Sequence, residues 1–196
     1  MSRKIVAAAA RSANQIEEMA LVIIRAVQPT ALRGPEPFDV ESFFEFHMEE
    51  LTGVKPDYRE LPNGIHGYTD SDANESIVCS DLMDDPLKER FARSTMAHEA
   101  GHAVIHVPEF KLKRAILRSV HDDKHASLRL YRQEEVPLYC NPEWQAWRFA
   151  GALLMPEKIF RRAVEMGVSE RVLVDTFNVN PAFVRSRAKA LKLQVG

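Results

Sequence analysis

Three histidines four residues apart sit in a run of otherwise small or apolar residues, Met96-Ala97-His98-Glu99-Ala100-Gly101-His102-Ala103-Val104-Ile105-His106. Residues four apart in a helix lie one above the other on the same face. The spacing therefore predicts a helix carrying a polar stripe. Ala97, Ala100 and Gly101 let neighbouring elements approach it closely. Asp85-Pro86 marks where this helix begins, a cap followed by proline at the first helical position. Pro108 is expected to stop it at about Val107.

The spacing has a chemical consequence. His98 and His102 can aim two imidazoles at one metal ion, and Glu99 follows the first of them within reach of a water there. Zinc so held polarises a carbonyl and eases deprotonation of water. Glu99 is then the candidate general base, taking the water's proton and passing it to a leaving amine. His106 does not extend the ligand set. Each step of four residues rises about 6 Å, so three such histidines span about 12 Å and cannot close on one ion. A core or hydrogen-bonding role suits His106 better. The longer H-x-x-G-x-x-H pattern fails, because Pro108 stands six residues after His102.

Catalytic zinc usually takes three protein ligands and keeps a fourth position open. Glu143 is one candidate for the third. It lies in the first turn of a helix opened by Asn141-Pro142 and continued by the largely apolar stretch to Met155. A carboxylate there needs either a partner or solvent. A glutamate that merely complements the helix N-terminus is the competing explanation. His121, Asp122, Asp123 and His125 are rivals, placed by their polarity at a turn.

The rest of the chain reads as short elements. Residues 3–27 are expected to form one helix, with Ile16, Met19, Ala20, Ile23 and Ile24 at helical spacing. Three prolines and a glycine make residues 28–37 a linker. A second helix starts at about Val40 behind Asp39 and ends at Gly53, with Phe43, Phe46, His47 and Leu51 on its face. Residues 65–70 and 76–80 read as a hairpin, and residues 115–120 and 126–131 as a second one turning at Asp122-Asp123-Lys124. Pro156, Ser169 and Asn180-Pro181 open three further helices.

Composition excludes several classes of function. A formal net charge of -2 argues against a dominant, sequence-independent attraction to nucleic acid. Two cysteines, Cys79 and Cys140, are too few for a zinc knuckle and fit reduced thiols in a cytoplasmic protein. The apolar stretch after Arg3-Lys4 ends at Arg11, too short for a signal peptide, and no run reaches membrane-spanning length.

Taken together, these residues resemble the ImmA/IrrE family of metallopeptidases. The resemblance rests on Arg90-Phe91, on Met96 to His106, and on Glu143-Trp144-Gln145-Ala146 with Phe149-Ala150 and Leu153-Leu154-Met155-Pro156. The segment from Leu61 to Tyr68 and the tail from Leu173 to Leu191 extend it, so that it covers roughly residues 38 to 191. It implies a zinc site with His98, His102 and Glu143 as ligands and Glu99 as base. It also implies a substrate: a helix-turn-helix repressor cut at a specific site. Two features depart from the family. Trp147 stands where many relatives place Asn or Asp, and the spacer between His102 and Glu143 is long. Tyr139, His121 and His125 are the candidates for stabilising an oxyanion.

The expected fold is α+β: a zincin-like core with a small, mostly antiparallel sheet against the motif helix, then a C-terminal helical region. The expected division is 1–37 for the N-terminal helix and linker, 38–167 for the core, and 168–196 for a helix-turn-helix-like tail. The motif should lie on the floor of a cleft edged by a strand from 65–70 or 76–80. A zinc endopeptidase acting on a repressor is the leading function. The alternatives are a DNA- or protein-binding regulator with a structural or vestigial metal site, and an inactive relative that only holds its partner. Arg185, Arg187, Lys189 and Lys192 make the tail basic, so nucleic acid is a possible partner, though packing of the tail on the core is favoured.

Overall fold

A computed structural model describes residues 3–121 and 128–196. The elements run β1 (Lys4–Val6), α1 (Ala13–Val27), α2 (Val40–Ser42), α3 (Met48–Thr52), β2 (Lys55–Arg59), β3 (Gly67–Asp70), β4 (Glu75–Cys79), α4 (Glu89–Gly101), α5 (Val107–His121), β5 (Leu130–Arg132), α6 (Pro142–Leu154), α7 (Glu157–Glu165), α8 (Glu170–Phe177) and α9 (Pro181–Ala190). This is an α+β fold of helices around small sheets. β4 is the centre of a three-stranded sheet in the order β2-β4-β3, parallel to β2 and antiparallel to β3. β1 and β5 form a separate antiparallel pair. No helix among the described residues is long and apolar enough to cross a membrane.

α4 runs through the middle of the molecule. Every residue from Ala92 to Gly101 is buried, between β3 and β4 on one side and α6 on the other. α6 is equally enclosed: Phe149, Leu153 and Leu154 are fully buried, and α1 covers its far side with Ile16, Ala20 and Ile24. Apolar burial of this kind contributes roughly 1.5–3 kcal/mol for each large side chain. Arg93 ties α4 to its surroundings, donating to the carbonyls of Phe38 at 2.7 Å and Asn178 at 3.0 Å.

The N-terminal segment differs from the single helix expected over 3–27. Ser12 and Gln15 form a reciprocal capping box, so α1 begins only at Ala13. Before it the chain is extended. Lys4 pairs with Arg132, and the N–H groups of Ala8 and Arg11 bond to the carbonyls of Cys140 and Tyr139. These distant partners override the local helical preference of the alanines.

Pro108 does not end the motif helix. Residues His102–His106 form a π turn, closed by the Val107 N–H on the His102 carbonyl. Pro108 follows this turn inside the continuous helix, where the widened turn makes room for a residue that cannot donate. The 115–120 segment is consequently helical, not a strand. Its expected partner over 126–131 contributes only β5, and the turn residues Asp122, Asp123 and Lys124 lie outside the described residues. A second π turn, Phe43–His47, rotates the helix after Asp39. Phe43, Phe44 and Met48 face the core, while Phe46 and Leu51, expected there from a regular helical period, are exposed. The hairpin of β3 and β4 forms as expected, with Asp70 accepting from the N–H groups of Asp72 and Ala73 in its turn.

Candidate metal centre

His98 lies in the last turn of α4 and His102 opens the π turn, so both imidazoles project from one face toward α6. Asn141 caps α6 by accepting from the N–H groups of Glu143 and Trp144, which holds Glu143 in the first turn. The approach of the two helices is set by Gly101. A Cβ there would stand 3.0 Å from the Cα of Ala146.

The structure thereby brings together His98, His102 and Glu143, whose potential ligand atoms all lie within 4.8 Å of one another. The two Nε2 atoms are 3.2 Å apart, and Glu143 oxygens lie 3.5 Å from His98 Nε2 and 3.9 Å from His102 Nε2. Two ligands about 2.05 Å from a tetrahedral zinc ion stand about 3.3 Å apart, so this donor set fits one ion. The electrostatics agree. Burial holds the His102 imidazole neutral, well below its usual range. The contact from His98, with help from Arg3, keeps the Glu143 carboxylate ionised despite its burial.

Glu99 points to the other side of the same cleft, against β3. Thr69 Oγ1 donates to its Oε2 at 2.8 Å and is itself 3.0 Å from Ser76 Oγ. A Cβ on Gly67 would lie 3.0 Å from Glu99 Oε1 and Cγ, so a larger residue would press the carboxylate from its place. Burial raises the Glu99 carboxyl to about 7, against the opposing pull of His98 and the Thr69 bond. A group near this value suits proton transfer at neutral pH.

The cleft over these residues encloses about 560 Å³ and is lined by Gly64 to Thr69 on one side and Phe91, Trp147 and Arg3 on others. Its rim strand is β3, the edge of the sheet. Among the candidates for stabilising an oxyanion, Tyr139 is half exposed and does not line the cleft. His121 closes α5, and His125, with Asp122 and Asp123, lies outside the described residues. Arg3, His66 and Tyr68 line the cleft instead. Arg3 reaches Glu143 Oε1 at 3.3 Å. Nothing local marked Arg3, because β1 carries it there by pairing with a strand near residue 130.

Trp147 stacks on His98, with ring centroids 4.1 Å apart and planes inclined by 33°. The outer nitrogen of His98, Nδ1, is buried without a hydrogen-bond partner among the described residues. The indole thus offers packing where an amide or carboxylate would offer a hydrogen bond. His106 is one turn beyond the cleft and bonds to both His102 and Gln145.

Residues 62–189 match the Peptidase M78 family, described as the IrrE N-terminal-like domain. The chain belongs to this family. The M78 match takes in both histidines, Glu99, Glu143 and the tail through α8. Among solved structures, the fold is similar to that of a Mycobacterium tuberculosis transcriptional regulator, with a TM-score of 0.55 at 17% identity. The likeness covers 90% of this chain and 48% of that one, so this chain spans about half the regulator's length. No curated protein matches the sequence significantly.

Proposed function

We propose that this M78 protein is a zinc-dependent endopeptidase that cuts a protein partner, a helix-turn-helix repressor. The observation that carries the reading is the triangle of His98, His102 and Glu143 with the Glu99 carboxylate beside it. Zinc bound there would supply Lewis acidity, polarising the scissile carbonyl and lowering the cost of deprotonating water. The chain's own residues do the rest. β3 offers its unpaired edge to an extended substrate segment, which lies across the cleft as an added strand. Thr69 fixes one Glu99 oxygen, leaving Oε1 beside Gly67 to take the proton of the attacking water. Glu99 then returns that proton to the leaving amine. Arg3 places a guanidinium at the cleft beside Glu143, where negative charge on the substrate oxygen can be met.

The repressor substrate is what the family resemblance implies. A cytoplasmic setting fits Cys79 and Cys140, both free thiols. The competing DNA-binding reading relied on the basic tail. There Arg187 is buried against Glu17 at 2.7 Å, and Arg185 pairs with Glu170, so two of its four cations already have partners.

The test is Glu99→Gln, assayed against the repressor encoded beside the gene. The amide cannot accept the proton, so the variant should bind zinc normally and lose cleavage by at least about a thousandfold. Cleavage at the wild-type rate would remove Glu99 from the mechanism.

A further inference from the structure

Behind the candidate metal centre, a chain of hydrogen bonds runs from His102 through His106 and Gln145 to the N-terminal segment. Its direction can be read from its far end. Gln145 Nε2 sits 2.9 Å from the Ala9 carbonyl and 2.7 Å from the Tyr139 carbonyl, which uses both amide hydrogens. The reverse orientation would set the amide oxygen against two carbonyl oxygens, so it is excluded. Gln145 Oε1 therefore faces His106 Nε2, at 3.1 Å, and also accepts from Arg11 at 3.3 Å. Arg11 is anchored by Glu109 at 2.6 Å.

An acceptor at Nε2 places the His106 proton there. His106 is 1% exposed, and a second proton would make it a buried cation beside neutral partners. Its Nδ1 is thus a bare acceptor, 3.0 Å from His102 Nδ1. His102 must carry its proton on Nδ1, which leaves Nε2 bare and facing His98 and Glu143.

We infer that His106 and Gln145 are positioning residues that hold His102 in the one tautomer able to ligate a metal through Nε2. This rests on the proposed zinc site. Among the described residues His98 has no equivalent support: its Nδ1 finds no partner there and Trp147 packs on its face. The two histidines of one motif are thus held by different means, one by a directed hydrogen bond and one by stacking. Ala9 and Arg11 of the N-terminal segment thereby become part of the metal site's support, acting through Gln145 and not by bonding a ligand themselves.

The experiment uses the metal-free full chain labelled with ¹⁵N-histidine, and reads each ring's tautomer from two-bond ¹H–¹⁵N correlations. His102 should be protonated at Nδ1 and His106 at Nε2. A proton on His102 Nε2 would overturn the inference, and this holds whether or not the protein binds zinc. In parallel, His106→Phe should weaken zinc binding by about ten- to a hundredfold, as loss of such support typically does. Unchanged affinity in a folded His106→Phe protein would equally overturn it. Should that variant not fold, the wild-type tautomers decide alone. If wild type itself fails to bind zinc while the tautomers are as stated, the metal reading falls and the relay stands.

Discussion

Gly101 and Ala146 meet where α4 crosses α6, so closely that a Cβ on Gly101 would lie 3.0 Å from Ala146 Cα and 3.1 Å from its carbonyl oxygen. His102 follows the glycine directly, and Glu143 precedes the alanine by three residues. Backbone contact at this crossing is therefore what places a carboxylate from one helix against imidazoles of the other.

Gly101→Ala should push α6 outward by several tenths of an ångström. The expected cost is about 1–3 kcal/mol of stability, as for other overpacked cores. Zinc affinity should fall as well, because Glu143 moves with its helix. Thermal unfolding and zinc titration of the variant check both. Unaltered values would mean that the two helices are free to separate without disturbing the site.

Gly67 makes a different demand. A methyl group there collides with the Glu99 side chain and with the Ile77 carbonyl. Gly67→Ala should leave zinc binding intact while reducing cleavage by less than about a hundredfold, the cost of misplacing a catalytic group by about 1 Å, because the carboxylate need yield by only a few tenths of that. A loss of zinc in this variant would show that β3 supports the ligands and not only the base.

Glu109 joins α5 to the N-terminal segment through Arg11 at 2.6 Å and through the Ala9 N–H, and it also pairs with Lys113 of its own helix at 2.6 Å. Burial alone would raise its carboxyl, but these three partners outweigh it and hold the group below its ordinary value. A carboxyl depressed on folding adds stability that is fully present above its unfolded value of about 4.3 and is lost as pH falls through the folded value. Glu109→Gln should cost about 2 kcal/mol at pH 7, the order of a hydrogen bond to a charged group. The gap to wild type should close as pH drops below about 4. Denaturant unfolding across pH 3–7 measures it, and a gap independent of pH would deny the carboxylate this role.

The helical half of the fold was legible because its signals are local. Asn141-Pro142, Pro156, Ser169 and Asn180-Pro181 each open a helix within a residue of where capping chemistry places it. The hairpin around Asp70 was legible for the same reason. β1 was not, since its partner is β5, and a short strand paired across the length of the chain leaves no periodicity to read. The π turns were missed because a regular 3.6-residue period cannot register an inserted residue, and it misassigned Phe46 and Leu51. His98, Glu99 and His102 are visible in their spacing. Glu143 needed the resemblance, because its convergence with them depends on the Gly101 crossing. Arg3 and the anchoring of His106 on Gln145 depend on tertiary packing that no local pattern announces.

The proposal that zinc is held by His98, His102 and Glu143 is tested most directly by Glu143→Ala. Alanine is tolerated in the first turn of a helix, and Asn141, Pro142 and the buried body of α6 remain to hold it. Zinc content per chain, by metal analysis of protein dialysed against a weak chelator, is measured beside the far-ultraviolet circular dichroism spectrum. The account predicts close to one zinc per wild-type chain, little or none in Glu143→Ala, and superimposable spectra. Full zinc occupancy in a well-folded Glu143→Ala protein would contradict it and move the third ligand elsewhere.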